Sequence, residues 1–156
     1  MDTCVLDAYL DSPNSSQESI KNAKRFIEKQ SSKETTIICP AIARLELLKQ
    51  LHKRYANKGK LKHRIIDSKL GELTHAGVTI KANISTNMEQ QKLIFSTAGK
   101  NHAECKLGLG DSLIVADAQV NDAVLVTFDL RDFKKCFNAN KTKYYDFKKE
   151  RVLKVR

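Results

Sequence analysis

Residues 108–129, Gly108-Leu109-Gly110-Asp111-Ser112-Leu113-Ile114-Val115-Ala116-Asp117-Ala118-Gln119-Val120-Asn121-Asp122-Ala123-Val124-Leu125-Val126-Thr127-Phe128-Asp129, read as a chain break, an apolar helix, a turn and a strand in succession. Gly108 and Gly110 interrupt the preceding segment, Asp111 or Ser112 can cap, and Leu113–Val120 forms the helix, which stops near Asn121-Asp122. Ala123-Val124-Leu125-Val126-Thr127 is a short aliphatic run bounded by turn residues, the pattern of a buried strand.

The same alternation extends upstream. Ser15-x-x-Glu18 has the form of a capping box and predicts a helix to about Gln30, with Ile20, Ala23 and Ile27 on one stripe. Thr35-Thr36-Ile37-Ile38-Cys39 predicts a short buried strand. Pro40 suits the first turn of the next helix, which runs through Glu46 towards Tyr55 with Leu45, Leu48 and Leu51 on its apolar side. Residues 60–75 and 86–101 read as two further helices, with Leu61, Ile65, Leu93 and Ile94 as spaced aliphatics and Val78-Thr79-Ile80 as a brief strand between them. Short strands alternating with helices predict one α/β domain over residues 1–156, a sandwich with a mostly parallel central sheet. In such sheets ligands gather at the carboxyl ends of the strands.

A chain of 156 residues with 41% hydrophobic and 29% charged side chains, six glycines and two prolines is a globular domain, neither disordered nor fibrous. No apolar run approaches the roughly 20 residues of a membrane span, and Met1-Asp2-Thr3-Cys4-Val5-Leu6-Asp7 lacks the basic and apolar parts of a secretory signal, so the expectation is a cytoplasmic protein with no membrane partner. Cys4, Cys39, Cys105 and Cys136 form no close pair of the zinc or redox kind and are expected as free, mostly buried thiols. His52, His63, His75 and His102 likewise make no metal-ligand pair on a helical face.

The net charge of +10 is unevenly spread. Residues 1–20 carry four acids and no Lys or Arg, and residues 111–132 carry Asp111, Asp117, Asp122, Asp129 and Asp132 against Arg131 alone. The rest of the chain is basic, and Lys141–Arg156, with Tyr144-Tyr145 among seven basic residues, is the best candidate for a stretch facing a polyanion such as nucleic acid, a solvated edge strand being the plainer reading. A basic surface attracts polyanions by phosphate contacts and counterion release. Carboxylates would repel the same partner unless divalent cations occupy them, since Mg²⁺ and Mn²⁺ prefer hard oxygen ligands and bridge to phosphates. A basic exterior with an acidic pocket therefore suggests a metal-dependent nuclease.

Four acids fall where the strand-end rule wants them. Asp2 precedes Thr3-Cys4-Val5-Leu6, Glu46 follows the strand ending at Cys39, Asp111 opens the apolar helix, and Asp129 follows Val126-Thr127. Each has a plainer role: a terminal charge for Asp2, a pair with Lys49 or Lys53 for Glu46, a helix cap for Asp111, a turn for Asp129. Asp117 falls near an apolar face, where it either turns towards the metal site or stays at the edge. Asp7, Asp11, Asp122 and Asp132 read as surface or capping residues, and Thr3 and Thr127 can orient carboxylates by hydrogen bonds.

Asp2-Thr3-Cys4-Val5-Leu6, Glu46 within Ala43-Arg44-Leu45-Glu46-Leu47-Leu48, Asp111 within Asp111-Ser112-Leu113-Ile114-Val115-Ala116-Asp117-Ala118, and Val126-Thr127-Phe128-Asp129 with Asp132-Phe133 resemble the PIN-domain signature in order and spacing, from residue 2 to about 133. The resemblance implies a three-layer α/β/α fold whose acids bind one or two Mg²⁺ or Mn²⁺ ions and cleave single-stranded RNA. By position, Asp2, Glu46, Asp111 and Asp129 are the catalytic and metal-site candidates. Small stand-alone members are commonly VapC-type toxins, held by a cognate antitoxin protein and assembled as homodimers. The family usually has several apolar residues ahead of the first aspartate, forming the central strand, where this sequence has only Met1; the expectation is a short or clipped first strand.

Carboxylates that hold a divalent ion activate water for in-line attack on a phosphodiester and offset the extra negative charge of the transition state, so no His or Ser nucleophile is required. The competing reading is a PIN-like module that binds RNA or a protein without cutting. A haloacid-dehalogenase-type phosphatase is disfavoured because no acid stands two residues after Asp2 and the late motif is too widely spaced. Dinucleotide binding is disfavoured because Leu107-Gly108-Leu109-Gly110 lacks a third glycine and leads to Asp111, which would repel a pyrophosphate.

Overall fold

Ten residues at the amino end already show how the site is positioned. In the computed structural model, which describes residues 1–33, 35–133, 136 and 142–154 (the Lys154 side chain excepted), extended backbone at Asp2 turns directly into helix α1 (Thr3–Tyr9). The Asp2 carboxylate caps that helix, accepting the Thr3 N–H at 2.6 Å. Val5, Leu6 and Ala8 are buried, and α1 packs against α2 (Gln17–Ser31). The cap of α2 is Ser16, one residue later than the capping box predicts: its hydroxyl accepts the Ser19 N–H at 3.0 Å, and Ser15 lies outside the helix.

Strand β1 (Ile37–Cys39) leads through Pro40, at the cap position, into α3 (Ala41–Arg54). Its buried stripe is Ala43, Leu47 and Leu51, not Leu45, Leu48 and Leu51; Leu45 is 60% exposed. Ala43 is fully buried where α1 meets α3, with Thr3 Oγ1 within 3.4 Å of its carbonyl, so the face carrying Ala43 and Leu47 lies inward. A 3-10 turn over Ala56–Leu61 reverses at Gly59, whose φ of 53° suits glycine, and α4 (Lys62–His75) follows. Leu61 and Leu93 are exposed, and Ile66, Leu73, Ile94 and Ala98 take the interior positions.

Strand β2 (Val78–Ile80) pairs in parallel with β1, with Ile37 opposite Val78 and Cys39 opposite Ile80. Helix α5 (Met88–Cys105) and α6 (Leu109–Val120) then pack closely through Ile94, Ala98, Leu113 and Ala116. Helix α6 starts four residues earlier than the sequence predicts, because Gly108 takes the cap position and its carbonyl accepts both the N–H and the hydroxyl of Ser112. Asp111 therefore lies in the first turn and does not cap it.

Strand β3 (Val124–Leu125) pairs in parallel with β4 (Lys143–Asp146), which pairs antiparallel with β5 (Arg151–Lys154). Among the described residues the strands thus form two short sheets, β1-β2 and β3-β4-β5, in place of the single central sheet expected. Met1 and Asp2 lie between them: the Met1 amino group donates to the Ile38 carbonyl at 2.7 Å and the Asp2 N–H to the Val126 carbonyl at 2.9 Å. Beside this bridge is a cavity of about 360 Å³ lined by Ile37, Ile38, Leu125, Val126 and Tyr145 among others.

Two expectations about the carboxyl-terminal part change. Strand β4 is internal to its sheet, and Tyr145 is buried with its ring 4.6 Å from that of Phe26 and 5.1 Å from that of Phe147, so it serves the core and is no platform for bases. Lys141, Val155 and Arg156 lie outside the described residues. Cys105 and Cys136 are joined in a disulfide, with Cα atoms 5.4 Å apart, while Cys4 and Cys39 are free thiols. The chain passes around α6 and β3 between the two half-cystines, a return that their 31-residue separation conceals.

Candidate functional site

Four separated segments deliver acids to one cavity of about 730 Å³, whose walls include Asp2, Glu46, Asp111 and Asp129. Asp2, buried at the mouth of α1, is the most constrained. Its Oδ2 accepts the Thr127 hydroxyl at 2.6 Å and the Cys4 thiol at 3.0 Å, while Oδ1 is held by the Thr3 N–H. Thr127 Oγ1 also accepts the Asp129 N–H at 3.0 Å, so one hydroxyl fixes the side chain of Asp2 and the backbone of Asp129. Thr3 Oγ1 donates to Glu46 Oε2 at 2.7 Å. The orienting hydrogen bonds expected of Thr3 and Thr127 are present, and Glu46 is paired with neither Lys49 nor Lys53.

Gly110 stands against Glu46: a Cβ there would overlap Glu46 Oε1, so the absence of a side chain leaves room for the carboxylate. Asp111, one residue on, has its carboxyl pushed up from 3.8 to about 6 by burial and then by the charges of Asp2, Glu46, Asp129 and Asp132. Repulsion between neighbouring carboxylates thus adds to the effect of burial, as expected of acids that share one site. Burial, and next the charge of Asp2, push the Cys4 thiol up to about 12, which keeps it protonated as a donor to Asp2.

The donor set suits a hard divalent cation: all four candidates offer carboxylate oxygens, and those of Asp111 and Asp129 accept no hydrogen bond among the described residues. Among the described residues no three His, Cys, Asp or Glu side chains are grouped closely enough to hold a metal ion, so the four carboxylates line the cavity without forming a closed cage.

Asp117 does not join them. It is buried on α6, bonded to Lys81 Nζ at 3.5 Å and Asn121 Nδ2 at 3.0 Å, and lines the cavity between the sheets. Asp7 was expected at the surface but is buried in an ion pair with Arg54, and the Gln50 amide, in its hydrogen-bonding orientation, donates to both Asp7 oxygens at 3.2 and 3.3 Å. Asp11, Asp122 and Asp132 pair with Lys24, Lys143 and Arg131. Sequence reasoning missed Cys4 and the wall made by Gln50, Lys53 and Arg54. The spacing of Gln50 and Lys53, four and seven residues after Glu46, was the available signal for the latter.

An α/β domain that brings acids from distant parts of its chain to one cavity has the geometry that carboxylate-lined nucleases use. Within that class the match is to the PIN domain, over residues 1–136, and the chain belongs to this family. PIN domains are in general metal-dependent nucleases, and a ribonuclease role is supported at that level. No curated protein and no solved structure gives a significant match. Among the described residues no helix is long and apolar enough to cross a membrane.

Proposed function

We propose that the chain is a Mg²⁺- or Mn²⁺-dependent endoribonuclease that hydrolyses phosphodiester bonds of single-stranded RNA, with Asp2, Glu46, Asp111 and Asp129 as metal-holding and catalytic residues. The observation that carries this reading is the shared cavity, in which burial first and then the charges of the other three acids raise the Asp111 carboxyl. A bound divalent ion would supply positive charge against the developing negative charge on the phosphate and would make water a better nucleophile. Asp2 is held ready by Thr3, Cys4 and Thr127, and Glu46 by Thr3, so these two carboxylates present fixed oxygens. Asp111 and Asp129 border the cavity, and among the described residues their carboxylate oxygens accept no hydrogen bond.

The finer assignment is a cytoplasmic toxin of the VapBC type, a homodimer restrained by a cognate antitoxin, which family membership and small size support. The three-layer α/β/α arrangement belongs to the same reading: parallel pairing of β1 with β2 and of β3 with β4 favours helices on both sheet faces. The test is cleavage of a labelled single-stranded RNA with Mn²⁺, Mg²⁺ or EDTA, comparing wild type with Asp111→Asn. Cleavage that needs metal and falls at least 100-fold in the variant is expected. Binding without cleavage by either protein, across metals and substrates, would replace this reading with an RNA-binding module.

A further inference from the structure

The acid-lined cavity has a second wall of opposite character. Helix α3 runs from Glu46 along one face through Gln50 to Lys53, and all three border the cavity. At 1.5 Å rise per residue, Lys53 lies about 10 Å along the axis from Glu46. The other cation on this wall, Arg54, is neutralised by Asp7, which Gln50 also holds. Lys53 is exposed and has no ion pair among the described residues, so it is the one free cation among the described residues of the cavity wall. Beyond it the chain stays basic: no acid occurs between Glu46 and Asp67, whereas Lys49, Lys53, Arg54, Lys58, Lys60, Lys62 and Arg64 do. Lys58, Lys60 and Lys62 lie on or beside the 3-10 turn into which α3 runs.

We propose that the RNA strand leaves the acid cluster along α3, with Lys53 binding the phosphate next to the scissile one and the Lys58–Lys62 turn binding those beyond. The inference rests on the ribonuclease reading and adds to it a direction for the strand and a substrate-binding residue. Carried about 10 Å along the helix from Glu46, the Lys53 ammonium is assigned to the neighbouring phosphate and not to a reacting atom. It contributes to capture of the strand by counterion release, with little effect on the chemical step. Short substrates follow from the same geometry: a dinucleotide, with its single phosphodiester, cannot reach Lys53 while it occupies the acid cluster.

The experiment compares wild type, Lys53→Gln, a Lys58→Gln/Lys60→Gln/Lys62→Gln triple variant and, as a control on α5, Lys92→Gln. Binding of a labelled ten-nucleotide single-stranded RNA is measured in EDTA across a salt series, so that binding is read without cleavage. Steady-state cleavage of the ten-mer and of a dinucleotide is measured with Mn²⁺. For Lys53→Gln the expected result is a salt slope shallower by about 0.7, one phosphate contact on a single strand. KM for the ten-mer should rise about fivefold, with kcat within twofold and dinucleotide cleavage unchanged. The triple variant should lose about 2 units of slope, and Lys92→Gln should match wild type. A Lys53→Gln slope and KM equal to wild type, or a loss of kcat on the dinucleotide, overturns the proposal. Wild type that neither binds nor cuts RNA overturns the ribonuclease reading with it, whereas normal cleavage with an unchanged slope overturns the strand path alone.

Discussion

Asp111 carries the electrostatic strain of the site in its proton affinity. Its folded-state carboxyl, at about 6, lies above the ordinary 3.8 of a solvated aspartate, so between these pH values the native chain binds more protons than the unfolded one. Stability in the absence of divalent metal should therefore fall as pH rises from about 4 to about 6 and stay lower above that window. Asp111→Asn should remove this dependence and raise stability at pH 7 by on the order of 1 kcal/mol, a value reduced for a half-exposed, solvent-screened group. Thermal unfolding from pH 4 to 8 in EDTA checks it, and identical profiles for the two proteins would show that Asp111 does not feel Asp2, Glu46 and Asp129. Thr127 acts differently, through geometry. Thr127→Val removes the hydroxyl that holds Asp2 and the Asp129 N–H, and Mn²⁺ affinity by calorimetry should drop about 10- to 100-fold, with Thr127→Ser restoring most of it.

Helix α6 shows why a glycine can matter to a site it does not chemically join. Gly110→Ala, in the first turn of α6, reduces the freedom of the unfolded chain, but its Cβ displaces the end of Glu46 and with it the bond to Thr3. The expected outcome is an unchanged or higher melting temperature together with weaker Mn²⁺ binding, a split that simple misfolding would not produce. At this scale much was legible. The apolar run after Gly110 and the aliphatic runs at 37–39, 78–80 and 124–125 mark elements that exist, and the four acids reach one cavity as the strand-end rule expects. What escaped was settled by contacts distant in sequence. Ala43 is buried on α3 where Thr3, forty positions away, meets it, and Asp7 is paired inside with Arg54, forty-seven residues away.

Across the whole molecule, the separation into two sheets bridged by Met1 and Asp2 is invisible in local periodicity, as is the Cys105–Cys136 bond. That bond closes a loop containing both Asp111 and Asp129, so it constrains the unfolded chain in the region that carries half of the acids. Cys105→Ser should lower stability by about 3.5 kcal/mol on chain-entropy grounds, measured by urea unfolding under oxidising conditions, and should change little when both proteins are treated with a dithiol reductant. The Asp2–Thr127 hydrogen bond spans 125 positions, the Asp2 N–H reaches Val126 across a similar stretch, and both belong to the carboxylate cluster. During synthesis the amino-terminal aspartate emerges first and waits, at about 5–20 residues per second, for its partners near the other end. A nascent chain still short of Asp129 thus lacks the assembled cluster while it is tethered beside the message that encodes it.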